Sequence, residues 1–286
     1  MTEEDAIILR CRAPDAIGIN AAVTGFLAQR QQNIIESHDY GDPDTKTFFM
    51  RIAFRGLGSA AALQSFEQEF GELASRLEMT WSVRPASEVP RAIILVSKSD
   101  HCLNDLLYRN RRNRLGVKVC AIVSNHDTGR WHADRHDLPF HHIPVSPETK
   151  AIAEERLDQL VEDVRADLII LARYMQILSP DLVRKWAGRC INIHHSFLPS
   201  FKGAKPYHQA HRAGVKLIGA TAHFVTSDLD EGPIIAQDVA PVDHRKSAAK
   251  MVELGRDIEA GVLARAVQAF GEGRIFVSGS RTIVFD

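Results

Sequence analysis

The sequence predicts an α/β fold in two parts: a ferredoxin-like α+β domain over residues 1–84 and a Rossmann-like domain with a mainly parallel sheet over residues 91–286. Three observations support this prediction. Near the start, apolar segments follow the order β-α-β-β-α-β, which is that of a ferredoxin-like sandwich. Beyond residue 90, apolar strands alternate with helical segments, as in a parallel sheet covered by helices. Residues 85–90 have a proline at each end and suit a linker.

The first part divides into six elements. Between Ile19 and Gln31, apolar residues recur at spacings of three and four, which indicates an amphipathic helix. The stretch from Asp42 to Asp44 contains a proline and is a turn signal between two strands. The predicted elements are, in order, the strand Ala6–Cys11, the helix Ile19–Gln31, the strands Asn33–His38 and Thr47–Phe54, the helix Ser59–Leu77 and the strand Met79–Val83.

The turn after the first strand carries Asp15 and, three residues later, Gly18. Taken by themselves, Asp15 would cap the helix and Gly18 would permit close packing. The segment also resembles an ACT domain, in which this turn usually carries the same two residue types, although Ile17 stands where a proline is common. The resemblance implies a regulatory domain, a small amino-acid effector such as methionine or glycine, and a homo-oligomer formed by pairing of sheets between subunits.

The second part begins with a strand that is buried on both faces. Arg91–Val96 is apolar after its first residue, which is typical of an inner strand of a parallel sheet. Helical and strand patterns then alternate. The predicted elements are the strand Arg91–Val96, the helix Cys102–Arg109, the strand Val117–Val123, the helix Pro147–Arg165, the strand Leu168–Ala172, the helix Pro180–Trp186, and the strands Cys190–His194 and Ala220–Thr226.

Composition limits the kinds of partner that we expect. Lys plus Arg number 35 against 36 Asp plus Glu, so the strong basic excess of most nucleic-acid-binding domains is missing. We interpret the basic run Arg109–Arg114 as a solvated helix end. No apolar run approaches the roughly 20 residues that span a bilayer. The acidic start Met1–Asp5 does not look like a signal peptide, and the four cysteines form no CxxC pair, so we expect reduced thiols in the cytoplasm.

The segment from Ile191 to Pro199 carries the clearest chemistry. Open parallel sheets place their sites beyond the carboxyl ends of strands, and this segment ends a strand. Because side chains alternate along a strand, Asn192 and His194 project from one face, and His195 from the other. A carboxamide can donate to a developing oxyanion, and an imidazole can exchange protons near neutral pH. The pair therefore predicts a catalytic crevice.

A carboxylate that would orient the histidine has to come from elsewhere. The loop after the strand Ala220–Thr226 offers Asp228, Asp230 and Glu231, with Gly232 and Pro233 at its exit. Spacing cannot choose among the three acids, and all three are also ordinary turn and cap residues.

Three motifs resemble those of the folate-dependent formyltransferase and formyl-hydrolase family. The first is Asn192, Ile193 and His194 followed by Ser196, Leu198 and Pro199. The second is His223, Phe224 and Val225 followed by Leu229, Asp230, Gly232 and Pro233, and the third is the run Met175–Pro180. The resemblance covers about residues 90 to 275. It implies catalysis by Asn192, His194 and Asp230. It also implies folate binding by Met175, Gln176, Ile177, Leu178, Thr226 and Ser227, with no prosthetic group.

The loop after the first strand of the second part separates transferase from hydrolase. Family members that formylate glycinamide ribonucleotide have a glycine-rich phosphate cradle there. This chain has Ser97–Leu103 without a glycine, although Lys98 could meet an anion. That stretch, the run from His194 to Ala204 and the ACT-like start all resemble the formyltetrahydrofolate deformylases. The resemblance implies hydrolysis of 10-formyltetrahydrofolate to tetrahydrofolate and formate, which balances the one-carbon pool used in purine biosynthesis.

Other functions stay open at this point. A formyltransferase acting on a small amine would need an acceptor, and a folate or amino-acid sensor would not need the Asn-His-Asp set. Tyr207, His208 and Lys205 could line a pocket or belong to a solvated loop. We do not expect a metal, because no HExxH or Cys-rich frame accompanies the clustered histidines, which are His141, His142, His194, His195, His208 and His211.

Overall fold

The computed structural model describes residues 6–198 and 206–286, which form two compact units. The first unit contains the residues up to Val89 together with 272–278 and 284–286, and the second contains Pro90–Gly271 and 279–283. The sequence prediction assigned the last residues of the chain to the second part. They group with the first unit because Phe276 packs against Phe49 at a ring distance of 5.6 Å, and Arg51 donates to the carbonyl of Glu272 at 3.0 Å.

The first unit is an antiparallel sheet with two helices on one face. The strand order is β2-β3-β1-β4 and all three pairings are antiparallel. Phe26, Phe66 and Phe70 of the helices pack together over the sheet, and their rings lie 5.3–5.6 Å apart. The elements are β1 Ile7–Pro14, α1 Ile19–Gln29, β2 Asn33–Asp42, β3 Thr47–Arg55, α2 Ala60–Arg76 and β4 Thr80–Pro85.

The turn before α1 differs from the prediction. Asp15 does not cap the helix: the N-cap is Gly18, and no side chain accepts a hydrogen bond there. Gly18 does not serve close packing either, since a Cβ atom on it would meet nothing within 4 Å. Its φ of 91° explains the residue type, because this left-handed conformation is open to glycine at little steric cost.

The second unit is a seven-stranded sheet with the order β11-β10-β9-β8-β5-β6-β7. Four of its pairings are parallel, and β10 runs antiparallel to β9 and β11, so the sheet is mainly parallel as predicted. The strands are β5 Arg91–Val96, β6 Lys118–Ser124, β7 Phe140–His142, β8 Leu168–Leu171, β9 Cys190–His194, β10 Leu217–Phe224 and β11 Ile234–Pro241. The helices are α3 His101–Arg111, α4 Arg130–Arg135, α5 Lys150–Asp163, α6 Pro180–Lys185, α7 Pro206–Ala213 and α8 Ala248–Gly271. The last strands of the chain are β12 Ile275–Ser278 and β13 Arg281–Val284.

The longest helix, α8, was not predicted from the sequence. Its buried side mixes large apolar residues such as Val262, Leu263 and Val267 with Gly255 and Glu259, so the apolar pattern is interrupted. The helix packs against β10, β11 and α3, and therefore depends on contacts with elements that are distant in the sequence. No helix in the described parts of the chain is long and apolar enough to cross a membrane.

Candidate active site

A cavity of about 680 Å³ in the second unit contains every residue predicted for the site in its lining. Its walls come from the ends of β8, β9 and β10, the loop after β10, and the helices α7 and α8. Pro199 to Ala204 and Lys205, which carried part of the family resemblance and one pocket prediction, lie outside the described residues. The predicted residues that line the cavity are Asn192, His194, Asp230, Met175, Gln176, Ile177, Leu178, Thr226 and Ser227.

His194 and Asp230 form the ion pair at its centre. Nδ1 of His194 lies 3.2 Å from Oδ1 of Asp230, and the two side chains are 5% and 14% exposed. Burial by itself would raise the pKa of Asp230, but the hydrogen bond and charge of His194 outweigh it and hold that pKa below its usual value. Nε2 of His194 is buried without a hydrogen-bond partner among the described residues. It is the ring atom left to exchange a proton with a bound molecule.

The backbone of the loop after β10 explains why Asp230 is the acid that reaches the histidine. Asp230 has a φ of 57°, a left-handed conformation that aspartate tolerates better than most residues. The exit of the loop is fixed by a hydrogen bond of 2.9 Å from Phe224 N to Pro233 O. At Gly232 a Cβ atom would lie 1.8 Å from the Phe224 carbonyl oxygen, so only glycine fits. Asp228, which spacing could not exclude, is exposed.

Asn192 is held by a residue to which the sequence analysis gave no role. Nδ2 of Asn192 lies 3.2 Å from Nε2 of His223, and Nδ1 of His223 lies 2.8 Å from the carbonyl oxygen of Phe224. The two side chains are direct cross-strand neighbours, because Asn192 on β9 is in register with His223 on β10. Burial lowers the pKa of His223, which keeps it neutral. The sequence does contain a signal for this residue, since His223 is the first residue of the second family motif.

The loop Met175–Leu178 forms an apolar wall of the cavity. Met175 and Ile177 are 61% and 63% exposed, which leaves their side chains available to a flat apolar ligand. The loop is tied to the end of β5 by Ser97, whose Oγ accepts from Met175 N at 2.9 Å and donates to Asn125 Oδ1 at 2.7 Å. Ser97 is therefore a second residue with a role that sequence reasoning missed. Lys98 is exposed and is not part of the cavity lining.

A buried carboxylate lies at another side of the cavity. Glu259 of α8 is 2% exposed; it accepts from Tyr207 Oη at 2.8 Å, and its other oxygen is 2.9 Å from His101 Nε2 and 3.4 Å from Arg173 Nε. Burial opposes its ionisation, but His101 and Arg173 together hold its pKa below the usual value. Gly255 makes room for this arrangement, because a Cβ atom there would be 2.1 Å from the Tyr207 ring.

One group of side chains in the described part of the chain has ligand atoms close enough together to hold a metal ion, and it contains none of the clustered histidines named from the sequence. Among the described residues, the group with suitable spacing is His101, Cys102 and Glu259, and burial raises the pKa of the Cys102 thiol well above its usual value. A protonated thiol is a poor metal ligand. His195 does not point away from the cavity as expected: β9 ends at His194, so strand alternation no longer applies, and His195 joins the lining. Burial lowers the pKa of His195 to about 4.

The arrangement suits attack on a small carbonyl group held against an apolar wall. Asn192 offers an N–H donor to an oxygen that gains negative charge. His194, paired with Asp230, offers a ring nitrogen for proton transfer. Tyr207 and His208, for which sequence left two readings open, both belong to the lining.

Comparison with known proteins gives a consistent result over the whole chain. The formyl transferase family model matches residues 90–267. The chain is 46% identical over 284 residues to a formyltetrahydrofolate deformylase of Corynebacterium sp. (strain P-1), covering 99% of each chain. It is similar to the crystal structure of a formyltetrahydrofolate deformylase from Burkholderia mallei with a TM-score of 0.94 and 46% identity, covering 99% of this chain and 100% of that one. Glycinamide ribonucleotide transformylase 1 from Symbiobacterium toebii matches at 30% identity and a TM-score of 0.65, covering 69% of this chain and 95% of that chain.

Proposed function

This chain belongs to the formyl transferase family and, within it, to the formyltetrahydrofolate deformylases, and we propose that Asn192, His194 and Asp230 carry out its reaction. The chain hydrolyses 10-formyltetrahydrofolate to tetrahydrofolate and formate, as a hydrolase of one-carbon metabolism. Folate enters this reaction as a substrate and not as a resident cofactor. The observation that carries the residue assignment is the contact of 3.2 Å between His194 and Asp230 in the cavity that Asn192 also lines.

In the proposed mechanism, water attacks the formyl carbon and the carbonyl oxygen becomes an oxyanion. Asn192 donates a hydrogen bond to that oxygen from its Nδ2 amide. A single well-placed donor of this kind typically lowers the barrier by about 3–4 kcal/mol. The carbon–nitrogen bond then breaks, so that formate keeps the oxygen of the water and N10 of the folate gains a proton.

We assign the proton transfers to His194. With Nδ1 directed at Asp230, the unpartnered Nε2 takes a proton from the attacking water and returns it to the departing N10. The ionised Asp230 stabilises the positive charge that His194 carries between these two steps. Acid–base help of this kind is usually worth about 10²- to 10⁴-fold in rate.

For the substrate, we propose that the pterin ring lies against Met175–Leu178 and that Thr226 and Ser227 contact it from the loop after β10. Two properties support this placement. The exposed side chains of Met175 and Ile177 offer an apolar surface for a flat ring. Thr226 is itself fixed, because its hydroxyl donates to the carbonyl of Asp228 at 3.1 Å.

The test is incubation of the purified protein with 10-formyltetrahydrofolate in the absence of any amine acceptor. Tetrahydrofolate and formate are measured separately, and we expect equal amounts of both. Release of tetrahydrofolate that begins only when an amine is added, with the formyl group on the amine, would instead indicate a transferase. Binding of the folate without turnover would indicate a sensor.

We further propose that residues 1–84, followed by the linker 85–90, form an ACT-like regulatory domain that binds a small amino acid and pairs in a homo-oligomer, and that residues 91–286 carry the catalysis. The turn supports the effector proposal: Gly18 is left-handed, Ile17 is fully exposed, and the Asp15 carboxylate lies next to Gly41 of β2. Titration with methionine and with glycine, followed by thermal shift and by activity, tests the effector. Light scattering of the purified protein tests the oligomer.

We also propose a cytoplasmic location. All four cysteines are free thiols: Cys11, Cys102 and Cys190 are buried, and Cys120 is half-buried. This is the usual state of cysteines in a reducing compartment. Fractionation of cells that produce the protein tests the proposal.

A further inference from the structure

His223 is buried against the catalytic asparagine, and we propose that it is a positioning residue that fixes the orientation of the Asn192 carboxamide. The proposal rests on the proposed function, because it concerns the residue assigned to the oxyanion. His223 is 2% exposed and contacts Asn192 at 3.2 Å, Phe224 O at 2.8 Å and Asp230 Oδ1 at 3.8 Å.

The contact with Phe224 determines which ring nitrogen of His223 carries the proton. A backbone carbonyl oxygen only accepts hydrogen bonds, so Nδ1 of His223 must donate to it. In a neutral imidazole the other nitrogen is then an acceptor. Nε2 of His223 therefore presents a lone pair to Asn192, and the Nδ2 amide of Asn192 donates an N–H to it.

This lone pair distinguishes the two possible orientations of the carboxamide. With Nδ2 toward His223, one N–H is used in the contact and the second remains for the oxyanion of the substrate. If the amide were rotated by half a turn, its oxygen would meet the lone pair of Nε2 and the N–H groups would point elsewhere. An unpaired acceptor in a buried site is unfavourable, so the first orientation is maintained.

The position of His223 is itself fixed by the sheet. It is the register partner of Asn192 across β9 and β10, and directly opposite side chains of an antiparallel pair lie close together. The carbonyl oxygen that accepts from its Nδ1 is also the atom against which Gly232 packs. The asparagine, the histidine and the loop that carries Asp230 thus share one set of contacts.

Protonation of His223 would reverse the arrangement. The charged groups that face its ring are Asp230, which favours the protonated form, and His194, which opposes it. A protonated Nε2 would donate to Asp230 or to the oxygen of Asn192, and either contact would remove the donor from the substrate. Burial in this position favours the neutral ring that the proposal requires.

Two substitutions separate the two nitrogens of His223. In His223→Gln the side-chain oxygen can occupy the place of Nε2 and accept from Asn192, whereas in His223→Asn the amide can occupy the place of Nδ1 and keep the contact with Phe224. We expect kcat to fall about 100-fold in His223→Asn, with KM within about threefold of the original protein, since one oxyanion donor is worth about 10²- to 10³-fold. We expect His223→Gln to stay within about tenfold.

The combination with Asn192→Ala provides the internal control. If His223 acts through Asn192, His223→Asn should have no further effect on kcat once Asn192 is alanine. Equal losses in His223→Gln and His223→Asn, or additive losses in the double variant, would overturn the proposal. Absence of formate release by the unsubstituted protein would instead refute the proposed function, so the two failures are distinguishable.

A measurement on the unsubstituted protein avoids dependence on the folding of the variants. In protein labelled with ¹⁵N-histidine, the nitrogen shifts of His223 should show a protonated Nδ1 and an unprotonated Nε2 at neutral pH. His223→Gln provides the assignment of the signal by its loss. A protonated Nε2 would contradict the proposal.

Discussion

Oδ1 of Asp230 lies 3.2 Å from Nδ1 of His194, and Asp230 reaches that position from a left-handed backbone with φ of 57°. The acid is therefore held in place by the loop exit at Gly232 and Pro233, and not by the ion pair alone. Replacement of the carboxylate can change the charge without changing the backbone, provided that the new residue tolerates the same φ.

Asp230→Asn satisfies that condition, because asparagine also tolerates the left-handed region. We expect kcat to fall about 10²- to 10⁴-fold, since His194 loses the charge that stabilises its protonated form. The fold and the affinity for tetrahydrofolate should be retained, as measured by circular dichroism and a binding titration. Asp228→Asn in the same loop is the matched comparison and should lose at least tenfold less; equal losses would refute the assignment of Asp230.

Ser97→Ala tests how the apolar wall is held. The substitution leaves the N–H of Met175 and the side chain of Asn125 without their common partner, and each such hydrogen bond is worth about 1 kcal/mol. We expect KM for 10-formyltetrahydrofolate to rise about 5- to 30-fold with little change in kcat. Ser87→Ala, at an exposed serine of the first unit, is the control and should leave both unchanged. A fall in kcat at constant KM would show that Ser97 acts on the chemistry instead.

The depressed pKa of His195 predicts a pH-dependent stability. Burial, with smaller contributions from the charges of Arg173 and His194, lowers it from 6.5 to about 4. A group of lowered folded-state pKa binds its proton more weakly in the folded than in the unfolded chain, so its contribution is present above pH 6.5 and is lost as the pH falls toward 4. In His195→Phe this loss should be absent. Relative to the variant, the unsubstituted protein should lose roughly 1–2 kcal/mol of unfolding free energy between pH 7 and about pH 5, measured by denaturant titration. A difference in unfolding free energy between the two proteins that stays constant with pH would contradict the half-buried, neutral state of His195.

The sequence alone predicts the bounds of a strand where a buried pattern and a polar end occur together. The bounds of β9 were predicted correctly from five residues, because a strand that ends in Asn192 and His194 has both a buried pattern and a polar end. The choice of Asp230 could not come from pattern. It depends on a left-handed backbone and on the close approach of Gly232 to Phe224, which the three acids of the loop do not reveal by their spacing.

The contacts of Glu259 could not be predicted from the sequence, for a different reason. Its partner His101 is 158 positions away, and Tyr207 is 52 positions away. No local period connects residues at such separations, and the helix that carries Glu259 interrupts its buried apolar face with small residues and with the glutamate itself. The role of Gly255 could not be predicted either, because a single glycine in a helix lowers helix propensity and does not reveal what it contacts.

Gly255→Ala and Gly261→Ala form a matched pair on α8 that tests this contact. At a free position in a helix, glycine to alanine stabilises by roughly 0.5–1 kcal/mol, and we expect this at Gly261, where a Cβ atom meets nothing within 4 Å. At Gly255 the added atom would be 2.1 Å from the Tyr207 ring, so the ring must move and the bond to Glu259 is lost. We therefore expect Gly255→Ala to destabilise by about 1–3 kcal/mol, as overpacking usually does. Thermal and denaturant unfolding give both values, and stabilisation by both substitutions would show that Tyr207 does not need the space.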